Sequence, residues 1–310
     1  MPTTHQPVLI KEVIEFLAPQ KNQNFIDGTI GGAGHATAIL EKTAPDGKLL
    51  GLDWDGEAIK RCEEILAKYK KRVTLVNSNY IKIKEVVSAN KFTPVNGILL
   101  DLGFSSDQLQ QSGHGFTFQQ NEPLDMRYSR DTELTAADIL NNYSKGQLIN
   151  IFRDFGEEPQ AFKIASAIVD ARKEEPFETT LQLTALIFRT KYIDRRKKIH
   201  PATQVFQALR IAVNNELENV KSVLSDCVDL LIPGGRLAII TFHSLEDRIV
   251  KNYFREESKD CRCPPEIPVC RCGHKALVKL ITRKAIKPSD KEISKNFRAR
   301  SAKLRVIEKL

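Results

Sequence analysis

Between Phe25 and His35 a short apolar run breaks into Asp27-Gly28-Thr29-Ile30-Gly31-Gly32-Ala33-Gly34-His35, and an apolar, helix-like segment follows. A strand, a glycine turn and a helix start in that order are the opening of a β-α-β unit. The runs Lys48 to Asp53, Val73 to Val76 and Val95 to Asp101 continue the same rhythm, with helical patterns between them. Glu57 to Lys70 is the clearest of these, with Ala58, Cys62, Ile65, Leu66 and Tyr69 on one face. Strands joined in this way must lie parallel and cross over right-handedly, so the chain is an α/β protein built on a doubly wound sheet. A fifth run, Arg236 to Phe242, comes only after a long gap. From about Leu134 to Lys191 the gap is helical in pattern, with Ala161, Ile164, Ala165, Ile168 and Val169 on one stripe.

The expected organisation is therefore a first sheet segment over 1–110, an inserted helical domain over 111–200, and a second sheet segment over 201–310 that ends in a basic tail. Open sheets of this kind bind ligands at the carboxyl ends of their strands. Glycines in the first loop let the backbone approach a ligand, and the free amides of the next helix face it. Asp53 ends the second strand, where a carboxylate can accept hydrogen bonds from both hydroxyls of a ribose. The intervals of Gly28, Gly31, Gly32 and Gly34 do not match the G-x-G-x-x-G dinucleotide fingerprint. Asp27 beside them repels phosphate and suits a cationic ligand such as the amino acid part of S-adenosylmethionine.

The net charge of +8 is uneven. Between Arg271 and Leu310 thirteen Lys or Arg stand against Asp290, Glu292 and Glu308. A second cluster, Arg195-Arg196-Lys197-Lys198, precedes His200-Pro201. Cations concentrated in this way suit a polyanion, with a solvated basic face as the alternative. No apolar stretch approaches a membrane span, and Glu12 and Glu15 interrupt any signal-peptide pattern, so the expected address is cytoplasmic with no membrane partner. Cys261-Arg-Cys263 and Cys270-Arg-Cys272 are separated by six residues. Reduced thiols on a Pro-rich loop are the favoured reading there; a four-thiolate zinc site is the alternative, its C-x-C pairs being tighter than the usual C-x2-C knuckle. No metal ligand is therefore assigned.

Two further loops fall where the sheet demands a site. Strand four ends in Asp101-Leu102-Gly103-Phe104-Ser105-Ser106-Asp107-Gln108, and strand five in Thr241-Phe242-His243-Ser244-Leu245-Glu246-Asp247-Arg248. Asp101 and His243 are the candidates for accepting or positioning a proton, with a purely structural role open for His243. Phe104 and Phe116 are candidates for stacking on a flat substrate or for apolar packing.

These loops, together with His5-Gln6-Pro7-Val8-Leu9, Pro123-Leu124-Asp125-Met126-Arg127, Pro201-Ala202-Thr203, Phe206-Gln207-Ala208-Leu209-Arg210 and Arg298-Ala299-Arg300-Ser301, resemble the motifs of the RsmH (MraW) family. Its members are bacterial small-subunit rRNA cytosine N(4)-methyltransferases. The resemblance implies a Rossmann-like class I methyltransferase sheet with an inserted helical domain, S-adenosyl-L-methionine as cofactor, and a cytosine of 16S rRNA within the small ribosomal subunit as substrate. By position it implies that Ala33, Gly34 and His35 line the cofactor, Asp53 meets its ribose, Tyr80 packs by the adenine, and Asp101 and Gln108 complete the pocket. The family pattern has glycine where Ala33 stands, arginine where His114 stands, and Arg-Thr in place of Gln204-Val205. A methyl at Ala33 is expected to be tolerated unless the backbone there takes positive φ. An RNA-binding assembly factor without catalysis and a methyltransferase acting on DNA or a small molecule are the competing readings; the oligomeric state, a homodimer included, stays open.

Overall fold

The computed structural model describes residues 7–103, 113–129, 132–192, 200–264, 266 and 269–310. The four early runs are strands β1 (Phe25–Asp27), β2 (Leu49–Asp53), β3 (Val73–Asn77) and β4 (Val95–Asp101), and the late run is β5 (Leu231–Thr241). All neighbours among them pair in parallel. Helices α1 (Ile10–Leu17), α2 (Gly34–Lys42), α3 (Gly56–Ile65) and α4 (Ile83–Ala89) flank the first half of the sheet. In α3 the buried stripe is Ala58, Ile59 and Cys62, continued by Leu66, while Ile65, expected on that stripe, is half exposed at the last position of the helix.

The complete sheet has the order β3-β2-β1-β4-β5-β7-β6. Its last two strands, β6 (Val278–Leu280) and β7 (Lys303–Lys309), lie in the segment expected to be a basic tail. β7 runs antiparallel between β5 and β6, with Leu237 opposite Ile307 and Ala238 opposite Val306. Leu304, Val306 and Ile307 are fully buried. The tail is thus corrected to structure over its final residues. The charge density of the segment hid a strand whose apolar residues are needed to cover β5. Arg305 itself is 9% exposed and donates from Nε to Asp247 Oδ1 at 2.7 Å, while Lys303 Nζ reaches Asp247 Oδ2 at 3.0 Å. Arg236 and Glu308 pair across the same two strands at 2.9 Å.

By contacts the chain divides into two compact units, one of residues 1–104 with 217–310, the other of 105–216. In the second unit the described helices are α5 (Ala136–Asn142), α6 (Lys145–Asp154), α7 (Ala161–Ala171), α8 (Thr180–Thr190) and α9 (Thr203–Asn214). Ser, Thr or both at the starts of α5, α6 and α8 close capping boxes, which satisfies amides that a helix start leaves unpaired. The boundary expected at 200 falls instead at 216, because Val205, Phe206, Ala208 and Leu209 of α9 complete the apolar core made with Ile139, Leu148, Phe152 and Ile164. Two motifs singled out in the sequence are braces within this unit. Asp125 receives both Nε and an Nη of Arg127, and Arg210 does the same toward Glu216. Phe116 stacks on Tyr128 with ring centroids 5.4 Å apart, the apolar-packing alternative of its two readings. Gln204 donates to the carbonyls of Gly156 and Glu157, so its side chain closes a turn. After the boundary, α10 (Glu216–Leu230) leads into β5, and α11 (Ser244–Glu257) and the short α12 (Asp290–Lys295) complete the α-helices among the described residues. Among the described residues no helix is long and apolar enough to cross a membrane.

Candidate active site

The first loop is fixed to two neighbouring strands before it reaches any ligand. Gly28 N donates to Leu99 O on β4, and Ile30 N donates to Leu52 O on β2, both at about the normal distance for such bonds (2.9 and 2.8 Å). A Cβ on Gly28 would stand 2.5 Å from Leu100 Cδ2, so a side chain there would force the Leu100 side chain to move. Gly31 takes φ +49°, and its N–H donates to Asp53 Oδ2 at 2.9 Å. Ala33 takes φ +58°, the left-handed region, and is fully buried. The condition attached to its methyl is therefore met, and the departure from glycine carries strain of roughly 1–2 kcal/mol, offset in part by about 0.8 kcal/mol from burying one methyl.

Gly34 opens α2 with its amide free of intrahelical partners, and a Cβ there would lie 2.8 Å from Pro7 Cγ. Pro7 and Gly34 are thus two sides of one contact. His35, one residue further, is buried and its Nε2 lies 2.9 Å from Val8 O. A carbonyl can only accept, so Nε2 carries the proton and Nδ1 is left facing Asp101 Oδ2 at 3.9 Å.

Asp53 uses both oxygens within the loop, accepting Gly31 N at Oδ2 and Asp55 N at Oδ1, each at 2.9 Å. A carboxylate oxygen has a second lone pair, so each remains able to accept a hydroxyl. Burial pushes its carboxyl up to about 6 against the pull of those two amides. Tyr80 begins a short 3-10 turn (Tyr80–Lys82) after β3, packs partly buried against the sheet, and has its Cβ 3.5 Å from where a Gly28 side chain would begin. It therefore flanks the same turn from the other side of β1.

Asp101 ends β4. Its amide donates to Thr29 Oγ1 at 2.6 Å, its carboxylate receives the Gly103 amide, and its Oδ1 is buried without a hydrogen-bond partner among the described residues. Burial, with the field of Glu246 added, pushes its carboxyl up to about 7. Asp27, only 1% exposed, is pushed up to about 8 by burial, reinforced by Asp101 and Asp53. Three carboxyl groups at the ends of β1, β2 and β4 thus share one polar rim, in which Asp53 and Asp101 oppose the ionisation of Asp27.

The loop after β5 meets the loop after β4 where the Phe242 ring fills the place of a Gly103 side chain, 2.5 Å from its Cβ position. His243 is the N-cap of α11: Nδ1 accepts the Glu246 amide at 3.4 Å, and Glu246 Oε2 accepts the amides of Phe242 and His243. Its Nε2 stands 3.0 Å from Glu246 Oε1 but off a hydrogen-bond line. Sequence reasoning singled out His243 and passed over Glu246, the buried group that organises this turn. The signal was Glu three residues after the cap position, masked because histidine is not a usual capping residue. Gln108 and Phe104, expected at this site, lie outside the described residues, as does the Arg195 to Lys198 cluster.

Ala33, Gly34, His35, Asp53, Tyr80 and Asp101 are therefore gathered on one sheet edge. An acidic rim, a glycine loop leading into a helix start, and a buried carboxylate oxygen with no hydrogen-bond partner among the described residues fit a cofactor that is cationic at one end and carries ribose hydroxyls at the other. Comparison with known proteins agrees. The model of the MraW methylase family matches residues 2–310. The Ribosomal RNA small subunit methyltransferase H of Thermomicrobium roseum is 48% identical, covering 99% of this chain and 94% of its own. That of Heliobacterium mobile is 48% identical and covers 99% of each chain. Among solved structures, an rRNA methylase from Streptococcus thermophilus aligns over 97% of this chain and 93% of its own at 10% identity and a TM-score of 0.41. The near-complete sequence match, rather than that distant likeness, decides the matter: this chain belongs to the MraW methylase family and depends on S-adenosylmethionine.

Proposed function

We propose that this protein methylates the exocyclic N(4) amine of one cytosine in 16S rRNA of the small ribosomal subunit, and so works in the cytoplasm. The reading is supported by the names of relatives that match across their length and by one structural observation, the buried Oδ1 of Asp101 at the carboxyl end of β4, which has no hydrogen-bond partner among the described residues. Asp53 would hold the ribose hydroxyls, the amides around Gly34 the carboxylate of the amino acid part, Asp27 its ammonium, and Tyr80 the adenine face. When bound, the cofactor supplies a methyl group on a cationic sulfur.

The amine of cytosine is a poor nucleophile because its lone pair is delocalised into the ring. An acceptor on one of its protons localises that pair. Asp101 Oδ1 is the atom to which we assign this task, and a carboxyl held near 7 is also able to take the proton that the amine must lose. His243 is assigned to positioning, since its Nδ1 is engaged in the cap and it anchors Glu246 beside Asp101. The target base must leave its stack to reach such a group. For the RNA itself, the cations of the 271–310 segment are not equivalent. Lys303 and Arg305 are consumed by Asp247, whereas Arg283, Lys284, Lys287, Lys291, Lys295 and Arg300 are among the exposed ones, and these six we assign to phosphates.

The test is methyl transfer from labelled S-adenosylmethionine to small subunits lacking their native modifications, with the product nucleoside identified by mass spectrometry. Label recovered as N(4)-methylcytidine supports the reading. Label in another nucleoside, or none from protein that binds the cofactor, overturns it.

A further inference from the structure

The loop between α11 and β6 contains a second chemical site that the methyl-transfer reading does not use. Cys261, Cys263, Cys270 and Cys272 place all four Sγ atoms within 4.8 Å of one another. The sulfurs of Cys270 and Cys272 are 3.5 Å apart, and those of Cys272 and Cys261 are 3.8 Å apart. These separations are far longer than the roughly 2.05 Å of a disulfide. They match the edge of a tetrahedron whose corners lie about 2.3 Å from a central ion, which is roughly 3.8 Å. A polynuclear iron–sulfur cluster would hold its cysteine sulfurs much further apart.

The backbone is arranged for anionic sulfur. Cys263 N donates to Cys261 Sγ and Arg262 N to Cys272 Sγ, each at 3.3 Å, and Arg271 N donates to Cys263 Sγ at 3.4 Å. Each donor lies on the other C-x-C pair or within its own, so the two short pairs are laced together through sulfur. Such contacts fix the orientation of metal ligands and offset the excess negative charge of four thiolates on a divalent ion. Gly273 takes φ +62° directly after the last cysteine, the reversal that lets the chain turn back toward β6.

The surroundings also explain why a cross-link is placed here. Val269 is 68% exposed, Cys270 and Cys272 are exposed, and no residue from 259 to 276 belongs to an apolar core cluster among the described residues. The ends of the loop are held by Leu277 N on Glu257 O and by the Arg262–Glu257 ion pair. A metal that closes this loop would seat the edge strand β6 on β7.

We propose that Cys261, Cys263, Cys270 and Cys272 bind one zinc ion as a structural site. The thiols give up their protons on binding, the ion keeps no open position for a reactant, and zinc's tolerance of a tetrahedral four-sulfur shell selects it over harder cations.

The experiment uses full-length protein purified under reducing conditions without chelator. Elemental analysis is expected to give one zinc per chain. Blocking the thiols with a mercurial should release that zinc to a colorimetric chelator. Replacing the zinc with cobalt(II) should give the charge-transfer and visible bands of tetrahedral thiolate coordination. Cys270→Ser and Cys272→Ser together should lose the metal and the cobalt spectrum, while Cys227→Ser, outside the loop, keeps both. Should the double variant fail to fold, the wild-type stoichiometry and cobalt spectrum still decide. Metal-free protein whose four loop thiols react freely, a disulfide between them in reduced cytosol-like buffer, or iron in place of zinc would each overturn the assignment.

Discussion

Arg305→Met separates the structural from the nucleic-acid reading of the basic segment. Arg305 lies in the middle of β7, 9% exposed, and its Nε is bonded to Asp247 at 2.7 Å. Removing one partner of a buried pair costs about 3–5 kcal/mol, because the other charge is left desolvated. Here Lys303 remains 3.0 Å from the second oxygen and its side chain is 31% exposed, so it compensates Asp247 in part. Methionine also keeps the apolar contacts of the arginine stem. The expected loss therefore falls below that range, about 2–3 kcal/mol, or a fall in Tm of roughly 4–12 °C for a unit of this size. Trp54, the one tryptophan of the chain, follows β2 in the same sheet, so its fluorescence reports unfolding of this unit. RNA affinity at several salt concentrations is measured in parallel and is expected to keep its slope. A stability change under about 0.5 kcal/mol, together with a salt slope smaller by about one, would show that Arg305 faces phosphate and that the reasoning is wrong.

Asp53→Ala should weaken S-adenosylmethionine binding by roughly 1.5–3 kcal/mol, or about 10- to 150-fold in Kd by calorimetry; an unchanged Kd would remove Asp53 from the ribose. The acidic rim predicts a pH dependence in ligand-free protein. With Asp53, Asp101 and Asp27 held up to about 6, 7 and 8, the folded state binds protons that an unfolded chain has already lost. Stability therefore falls as pH rises from about 4 to about 8, and Asp27→Asn should flatten the upper end of that fall; a Tm of the wild type that stays level across this range contradicts it. Cofactor affinity should rise over the same interval, since a cation favours the ionised rim. His243→Asn keeps a good N-cap and should lower kcat less than tenfold, whereas Asp101→Asn, which leaves no acceptor of the same charge, should lower it roughly 100-fold or more; equal losses would make the imidazole a participant.

What was legible in the sequence was local. The continuous apolar runs of the buried strands, the helical stripes and the glycine turn after Phe25–Asp27 are each dictated by a few adjacent residues, and parallel strands then force crossovers and a site at their carboxyl ends. Asp53 and Asp101 could be placed for that reason, as strand ends. The rest depends on partners remote in the chain. Whether Lys303–Lys309 is a tail or a strand depends on β5, about 70 residues earlier, offering Leu237 and Ala238 to be covered, and charge alone reads the wrong way. That Thr203–Asn214 joins the helical core is settled by where its apolar face meets α5 and α6, not by its own periodicity. The positive φ of Ala33 follows from anchoring the loop to both Leu52 and Leu99, and the convergence of four cysteines follows from the path of the backbone around Gly273. Short-range pattern fixes which element forms, because sterics and apolar periodicity act within a few residues; pairing, burial of charge and the grouping of ligands arise only when distant segments compete for the same sheet edge and the same core.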